Sequence, residues 1–153
     1  MGRDMHNIRA VFCLVVVLVL ALGITACDSG KQGNVMDNPA VEARVGELME
    51  AIKAEEYQQV LDQYHESFFK SRTPEVWVDE LKAHLAERGP MQAYHLRRSQ
   101  ADTRFSGKFY ILEYETVHTG NKRLHHLLTL VRPVEGGDVR LLGHKITPWE
   151  TTG

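Results

Sequence analysis

The stretch "KFYILEYETVHTGNKRLHHLLTLVRP" (Lys108–Pro133) decides the fold, because apolar and polar side chains alternate on both sides of a short break. A period of two in a run rich in β-branched and aromatic residues predicts strands at about 108–118 and 123–133. The break, Thr119-Gly120-Asn121-Lys122, carries glycine where a turn needs positive φ. The stretch therefore predicts an antiparallel hairpin.

The same period predicts two more strands, at about 92–100 and 139–147, and the turn Glu135-Gly136-Gly137-Asp138 joins the last pair. Two-residue turns would set a register in which four pairs face each other: Tyr114 and Leu127, Leu112 and Thr129, Thr129 and His144, and Val131 and Leu142. The predicted inner face, toward the helices, carries Tyr110, Leu112, Tyr114, Leu127, Val131, Leu142 and Ile146. The predicted outer face carries Glu113, Glu115, Arg132 and Lys145 among Phe109, Ile111, Leu128 and Leu130.

Three amphipathic segments precede the strands. Asn38-Pro39 is a helix-start signal, and apolar residues at helical spacing predict a helix from there to about Lys53. The pattern resumes from Tyr57 to about Lys70, after a kink or a turn. A third helix starts at Thr73-Pro74 and ends at Gly89-Pro90. The predicted fold class is α+β, with three N-terminal helices packed on a four-stranded antiparallel sheet.

This order of elements, with "TPEVWVDELKAHL" leading the third helix and "DVRLLGHKITP" ending the meander, resembles the nuclear transport factor 2-like, or cystatin-like, fold. The resemblance covers about residues 39–148. It implies no single activity, since that family includes enzymes, binding modules and assembly subunits.

The N-terminal stretch "VFCLVVVLVLALGITACDSG" (Val11–Gly30) has the layout of an export signal, with Arg3 and Arg9 ahead of an uncharged apolar run. A single membrane-spanning anchor is the alternative. The run ends in Ile24-Thr25-Ala26-Cys27, which resembles the lipobox of bacterial lipoproteins. The resemblance implies a diacylglyceryl group on the Cys27 sulfur, cleavage before Cys27, and a further acyl chain, such as palmitate, on the new terminus. An ordinary signal peptide that happens to end near a cysteine remains the other interpretation.

Asp28 resembles the residue that keeps enteric lipoproteins in the inner membrane, which favours an anchor on its periplasmic side over the outer membrane. The predicted organisation is a signal peptide over 1–26, a lipidated flexible tether over 27–38, and one α+β domain over 39–150. The tether is polar and contains glycine, and its expected root-mean-square span is about 18 Å.

The whole chain has 18 basic and 20 acidic residues. Cleavage of the signal would remove Arg3, Arg9 and Asp4. It would leave 16 basic and 19 acidic residues, which is a formal charge of −3. This mild charge argues against a nucleic-acid partner, for which a clustered basic face is expected. The mature chain would also have no free thiol, since Cys13 leaves with the signal and Cys27 carries lipid.

Eight histidines raise the question of a metal site. His125 and His126 are neighbours on a strand and must point to opposite faces. In the predicted register His125 and His144 are about 13 Å apart, too far for one zinc ion. HExxH, CxxC and EF-hand spacings are absent from the sequence. We therefore predict no metal and no cofactor.

The candidate ligand pocket is the hollow that this kind of fold leaves between helices and sheet. The predicted register directs five polar side chains into it: Tyr110, Tyr114, His125, Thr129 and His144. A few polar groups in an apolar hollow suit a small ligand. The competing interpretation is that they are residues at the edge of the core whose polar ends reach water or backbone.

The apolar members of the outer face, Phe109, Ile111, Leu128 and Leu130, suggest a partner-protein or homodimer surface, unless a curved edge or Trp149 covers them. The leading functional hypothesis is a lipid-anchored, non-enzymatic binding or assembly module of the cell envelope. The alternative is a small isomerase or hydrolase that uses His144 or His125 with Tyr110 or Tyr114. Its inner face would lack an acidic base, although a histidine could serve near neutral pH.

Overall fold

A computed structural model describes residues 38–149. The predicted signal peptide, the lipobox with Cys27, Asp28 and the tether as far as residue 37 lie outside the described residues. Within 38–149, no helix has both the length and the apolar character needed to cross a bilayer.

The described part has the α+β architecture predicted from the sequence. Three α-helices come first: α1 (Pro39–Lys53), α2 (Tyr57–Asp62) and α3 (Pro74–Arg88), with a 3₁₀ helix (Glu66–Lys70) between the last two. Four strands follow: β1 (Met91–Arg104), β2 (Gly107–His118), β3 (Lys122–Pro133) and β4 (Arg140–Pro148). They form one antiparallel sheet in the order β1-β2-β3-β4, a simple meander.

Local chemistry explains where α1 and α3 begin. The Asn38 side chain accepts a hydrogen bond from the Ala40 backbone N–H, and the Thr73 hydroxyl accepts one from the Val76 N–H. Each cap is followed by proline at the first helical position, where its missing N–H costs nothing. The buried stripes of these helices pack on the inner face of the sheet and supply Val41, Val45, Leu48, Met49, Ile52, Trp77 and Leu81 to the core.

The second predicted helix, from Tyr57 to Lys70, is interrupted. α2 ends at Asp62, because Tyr64 leaves the helix to bridge Leu141 of β4 and the His65 N–H donates to the Leu141 carbonyl at 2.9 Å. The His65 side chain then caps the 3₁₀ helix by accepting from the Ser67 N–H. Pairing with the sheet thus replaces the continuous helix that the apolar spacing predicted.

The predicted strand register was wrong by one residue. A three-residue turn, Thr119–Asn121, joins β2 to β3, with positive φ at Gly120 and Asn121. Tyr114 therefore pairs with His126 rather than Leu127, and Leu112 pairs with Leu128 rather than Thr129. Because side chains alternate along a strand, this shift turns all of β3 over. The inner face of β3 carries Leu124, His126, Leu128 and Leu130, all buried.

The β3–β4 pairing differs from the prediction in the same way. His144 lies opposite Leu128 rather than Thr129, and Val131 lies opposite Arg140 rather than Leu142. A bulge between Thr129 and Leu130 shifts the register along β4. His144 is buried on the inner face, as predicted, while Leu142 is only half-buried.

Candidate functional site

Five buried side chains form a continuous chain of hydrogen bonds between helices and sheet, which we name the histidine relay. The Tyr64 hydroxyl contacts His144 Nδ1 at 2.6 Å, and His144 Nε2 contacts His126 Nδ1 at 2.9 Å. Thr116 Oγ1 then contacts His126 Nε2 at 3.1 Å and His118 Nε2 at 2.9 Å. The relay ends where His118 Nδ1 meets the Gly89 carbonyl oxygen at 2.8 Å.

Local geometry places each member of the relay. Thr116 and His118 lie on the inner face of β2, two and four residues after Tyr114, while His126 and His144 reach across from β3 and β4. Gly89 ends α3 with φ of 82°, a left-handed conformation suited to glycine, and its carbonyl faces His118. The relay thus ties the end of α3, three strands and the segment after α2 to one another.

The Gly89 carbonyl fixes the direction of every hydrogen bond in the neutral relay, since it can only accept. His118 must donate from Nδ1, so its Nε2 accepts the Thr116 hydroxyl proton. The Thr116 oxygen then accepts from His126 Nε2–H, and His126 Nδ1 accepts from His144 Nε2–H. His144 Nδ1 finally accepts from the Tyr64 hydroxyl. Every ring nitrogen is satisfied with all three imidazoles uncharged.

The electrostatics agree with an uncharged relay. Burial, together with the neighbouring His118, His84 and His125, lowers the pKa of His126 from 6.5 to about 3. Burial, with His126, Arg72 and His84 nearby, also places the pKa of His144 well below its ordinary value. Burial lowers the pKa of His118 against the opposing effect of the Gly89 carbonyl. Burial raises the pKa of Tyr64, although Trp77 and Arg72 partly oppose it.

Aromatic rings enclose the Tyr64 end of the relay. Phe68 stacks on Tyr64 with ring centroids 4.4 Å apart, and the Trp77 ring packs edge-on against His144 at 5.1 Å. The Arg72 guanidinium covers the Trp77 ring at 5.0 Å. The indole Nε1 of Trp77 is buried and has no hydrogen-bond partner among residues 38–149. This packing leaves the His144 and Tyr64 side chains almost no exposed surface.

The structure separates the five residues predicted to line an inner pocket. Tyr110, Tyr114 and His144 are on the inner face, where each is at most 5 % exposed. The β3 inversion moves His125 and Thr129 to the outer face, where both are half-buried. The predicted grouping of all five in one hollow was therefore wrong, and of these five only His144 belongs to the relay.

On the outer face the relocated His125 meets a carboxylate. His125 Nε2 lies 3.6 Å from an oxygen of Glu113, whose other oxygen lies 3.7 Å from Arg98 Nη1. The Trp149 ring packs edge-on against His125, with centroids 5.6 Å apart. A cleft of about 480 Å³ opens here and is lined by Glu113, His125, Thr147, Pro148 and Trp149. We call it the outer cleft, and its volume is in the range of small-ligand sites.

Beside the outer cleft, Glu115 is fully buried under two arginines. Arg97 Nε donates to it at 2.7 Å and Arg123 Nη1 at 2.6 Å. A bulge in β1 makes Arg97 an extra residue between Leu96 and Arg98, so that consecutive arginines reach the outer carboxylates. Burial acts to raise the pKa of Glu115, but the hydrogen bonds and charges of Arg97 and Arg123 outweigh it and hold the pKa below its ordinary value.

Two of the four residues predicted to form the partner surface lie elsewhere. Leu128 and Leu130 are fully buried in the core, whereas Phe109 is half-buried and Ile111 is 39 % exposed. The register brings Leu127 opposite Glu113 and Val131 opposite Phe109 on this face. We call Phe109, Ile111, Leu127 and Val131 the outer strip. It runs along β2 and β3 beside the outer cleft.

Sequence reasoning missed Tyr64, Thr116, His118 and His126 as members of one cluster. The alternation of β2 could have placed Thr116 and His118 on the inner face with Tyr114. The placement of His126 depended on the register of β2 and β3, and Gly120-Asn121, both residues of which have positive φ, suits a two-residue turn as well as the three-residue turn of the structure. Within residues 38–149, no group of three or more His, Cys, Asp or Glu side chains has the geometry to hold a metal ion.

Comparison with known proteins informs the fold only. No protein-family model and no curated protein matches the chain. The fold is similar to the structure of Bdellovibrio bacteriovorus Bd1075, with a TM-score of 0.50 and 9 % identity, covering 73 % of this chain but 40 % of that one. It is also similar to a structure from Catenulispora acidiphila, with a TM-score of 0.50 and 14 % identity over 72 % of this chain and 89 % of the other. At these identities the likeness shows a shared sheet-rich architecture and assigns no activity.

Proposed function

We propose that this chain is a lipid-anchored protein of the bacterial cell envelope whose domain is a non-enzymatic binding module. The observation that carries the proposal is the contrast between the two faces of the sheet. The five relay residues are buried on the inner side and hydrogen-bonded to one another. Within residues 38–149 the helices pack on the inner face, and the outer strip is apolar, with Ile111 exposed, Phe109 and Leu127 half-buried, and Val131 buried at 7 % exposure.

The charge of the outer face favours an apolar partner surface. Three arginines, Arg97, Arg98 and Arg123, offset two carboxylates, Glu113 and Glu115, through direct ion pairs. Because these charges already pair within the domain, with Glu115 fully buried, burial of the outer strip would supply most of the affinity. The outer cleft would receive one side chain of the partner beside Trp149. We therefore favour a partner protein, with a second copy of this chain as the alternative.

Site-specific photo-crosslinking in membranes of the native host tests this assignment. A photo-reactive residue replaces Ile111 in the outer strip, and a matched control replaces Val76 of α3, which is 48 % exposed. We expect a discrete adduct from position 111 and none from position 76. An adduct at twice the mass of the chain would identify a homodimer. Equal, diffuse labelling from both positions would contradict the proposal.

The lipid anchor rests on Ile24-Thr25-Ala26-Cys27 and has its own test. Cells expressing the full chain are fed a radiolabelled or clickable fatty acid. We expect label in the wild-type protein and loss of label in Cys27→Ser, which should accumulate as an uncut or soluble form. Cys13→Ser serves as the control, since it lies inside the predicted signal. Labelling that persists in Cys27→Ser would contradict the anchor.

We also propose that the domain has the nuclear transport factor 2-like, or cystatin-like, fold. The order of helices followed by a four-stranded meander supports this assignment.

A catalytic alternative would lie in the outer cleft rather than in the inner hollow. Glu113 and His125 form a carboxylate–imidazole pair there, at 3.6 Å, next to an aromatic wall. Such a pair could hold and move a proton in an isomerase or hydrolase. A panel of chromogenic ester and glycoside substrates would test it. Turnover that Glu113→Gln and His125→Gln abolish, and Thr129→Val does not, would favour this alternative over the binding module.

A further inference from the structure

The β1–β2 hairpin ends in an apolar tip. Phe105 at the turn is fully exposed, and the neighbouring Val134, whose N–H donates to the Ser106 carbonyl at 3.4 Å, is 71 % exposed. They are the two most exposed large apolar side chains within residues 38–149. Neither contributes to the core, so folding of the chain does not explain them.

Two basic residues lie directly behind this tip. Lys108 of β2 and Arg132 of β3 are cross-strand partners, and both are exposed. Like charges directly opposite each other destabilise a sheet. Neither forms an ion pair with a carboxylate in the described part of the chain, whereas Arg104 nearby is paired with Asp102. Glu135 and Asp138 in the β3–β4 turn balance the formal charge of the two cations, and Asp138 lines a surface cleft together with Arg132.

The N-terminal segment enters the domain at the same end. The Asn38 side chain donates to the Tyr110 hydroxyl at 2.8 Å, and the Lys108 ammonium lies 5.4 Å from the Tyr110 ring. Tyr110 is five residues from Phe105, roughly 17 Å along the strand. Asn38 is eleven residue steps beyond Cys27, which gives a maximum reach of about 38 Å. A lipid on Cys27 would therefore allow the hairpin tip to reach the bilayer.

We propose that this end of the domain, formed by Phe105, Val134, Lys108 and Arg132, rests on the lipid bilayer. Phe105 and Val134 would enter the interface between headgroups and acyl chains, and the basic pair would face anionic phospholipid headgroups. The inference rests on the proposed lipid anchor at Cys27. This contact would orient the domain with its strands roughly perpendicular to the membrane. The outer strip would then face other proteins of the same membrane.

Fluorescence quenching in vesicles tests the inference on the full chain purified with its lipid. A cysteine that replaces exposed Ser106 carries an environment-sensitive dye, with Phe105 kept in place. The control dye replaces Glu87, which lies by the β2–β3 turn because its carbonyl accepts from Lys122 Nζ. That turn is about 36 Å from the tip along β2. The vesicles combine phosphatidylglycerol and phosphatidylethanolamine with a doxyl-labelled lipid as the quencher.

We expect strong quenching at position 106 and little at position 87. Lys108→Gln and Arg132→Gln should each reduce the membrane-bound fraction of the tip about fivefold on anionic vesicles and have little effect on phosphatidylcholine vesicles. Phe105→Ser should reduce quenching on both. All three positions are exposed, so the variants should fold.

Flotation of the same samples with the vesicles reports the anchor separately. Flotation with equal quenching at 106 and 87 would overturn the inference and leave the proposed function intact. Failure of the wild-type protein to float, together with an absence of attached lipid, would overturn both.

Discussion

Thr116 lies at the centre of the histidine relay, and its single hydroxyl group serves two imidazoles. It accepts from His126 and donates to His118, so both halves of the relay depend on one oxygen atom. The Thr116 side chain is completely buried. A buried polar atom that loses its partner costs about 1–3 kcal/mol.

Thr116→Val removes this hydroxyl with almost no change in shape. We expect a loss of about 2–4 kcal/mol in the free energy of unfolding, because one donor on His126 and one acceptor on His118 lose their partners. Urea denaturation, monitored by circular dichroism, measures the free energy of unfolding. The matched control, Thr129→Val on the outer face, should change stability by less than about 0.5 kcal/mol. Equal effects of the two variants would show that the relay does not contribute to stability.

The direction of the relay predicts the tautomer of each histidine. His118 should carry its proton on Nδ1, while His126 and His144 should carry theirs on Nε2, because the Gly89 carbonyl can only accept. Two-bond ¹H–¹⁵N correlation spectra of the imidazoles distinguish the two forms. A His118 ring protonated on Nε2 would contradict the proposed direction.

At the scale of elements, the β2–β3 turn decides which side chains meet. The types of element, their order and most of their bounds could be predicted from apolar spacing, caps and turn residues. The register could not, because two- and three-residue turns both suit Thr119-Gly120-Asn121, and one residue inverts β3. The inner placement of Tyr110, Tyr114 and His144 was predictable from their own strands. The relay and the outer cleft could not be predicted, because each is formed by side chains from three or more elements.

Engineered disulfides distinguish the two registers. Glu113 faces Leu127 in the structure, whereas two-residue turns would bring Glu113 opposite Leu128. In a background with Cys13→Ser and Cys27→Ser, we expect Glu113→Cys with Leu127→Cys to oxidise readily, since directly opposed residues suit disulfide geometry. Glu113→Cys with Leu128→Cys should stay reduced, because Leu128 points into the core. Mass spectrometry after mild oxidation measures both. Preferential oxidation of the second pair would contradict the register.

At the scale of the whole molecule, the buried titratable groups make stability depend on pH. The pKa values of His118, His126 and His144 are lowered in the folded state, so the unfolded chain binds more protons once the pH falls below about 6.5. The stability that neutral imidazoles contribute is complete above that pH and is lost on acidification. The lowered pKa of Glu115 adds a further loss below its ordinary value of 4.5.

We expect the free energy of unfolding to be nearly constant from pH 7 to 8 and to fall between pH 6.5 and about 3. Each buried histidine should contribute up to about 1.4 kcal/mol per pH unit to the slope. Urea titrations across this range measure it. His126→Gln should change the slope strongly, because it removes one buried imidazole and also takes a hydrogen-bond partner from Thr116 and His144. His95→Gln, which replaces an exposed histidine, is the surface control and should change it much less. A slope that is the same in all three proteins would contradict the assignment.

The Gly89 carbonyl, which fixes the direction of the relay, limits which substitutions this protein can accumulate in evolution. Each imidazole in the relay has both ring nitrogens hydrogen-bonded only while its neighbours are present. Loss of one member leaves a buried donor or acceptor of its neighbour without a partner, which destabilises the fold more than loss of the whole group. Exchange of the whole group for apolar residues of similar volume could be neutral. Tyr64, Thr116, His118, His126 and His144 should therefore be inherited as a block. Descendants of the same ancestor would keep all five or replace them together with hydrocarbon side chains, and mixtures would be rare.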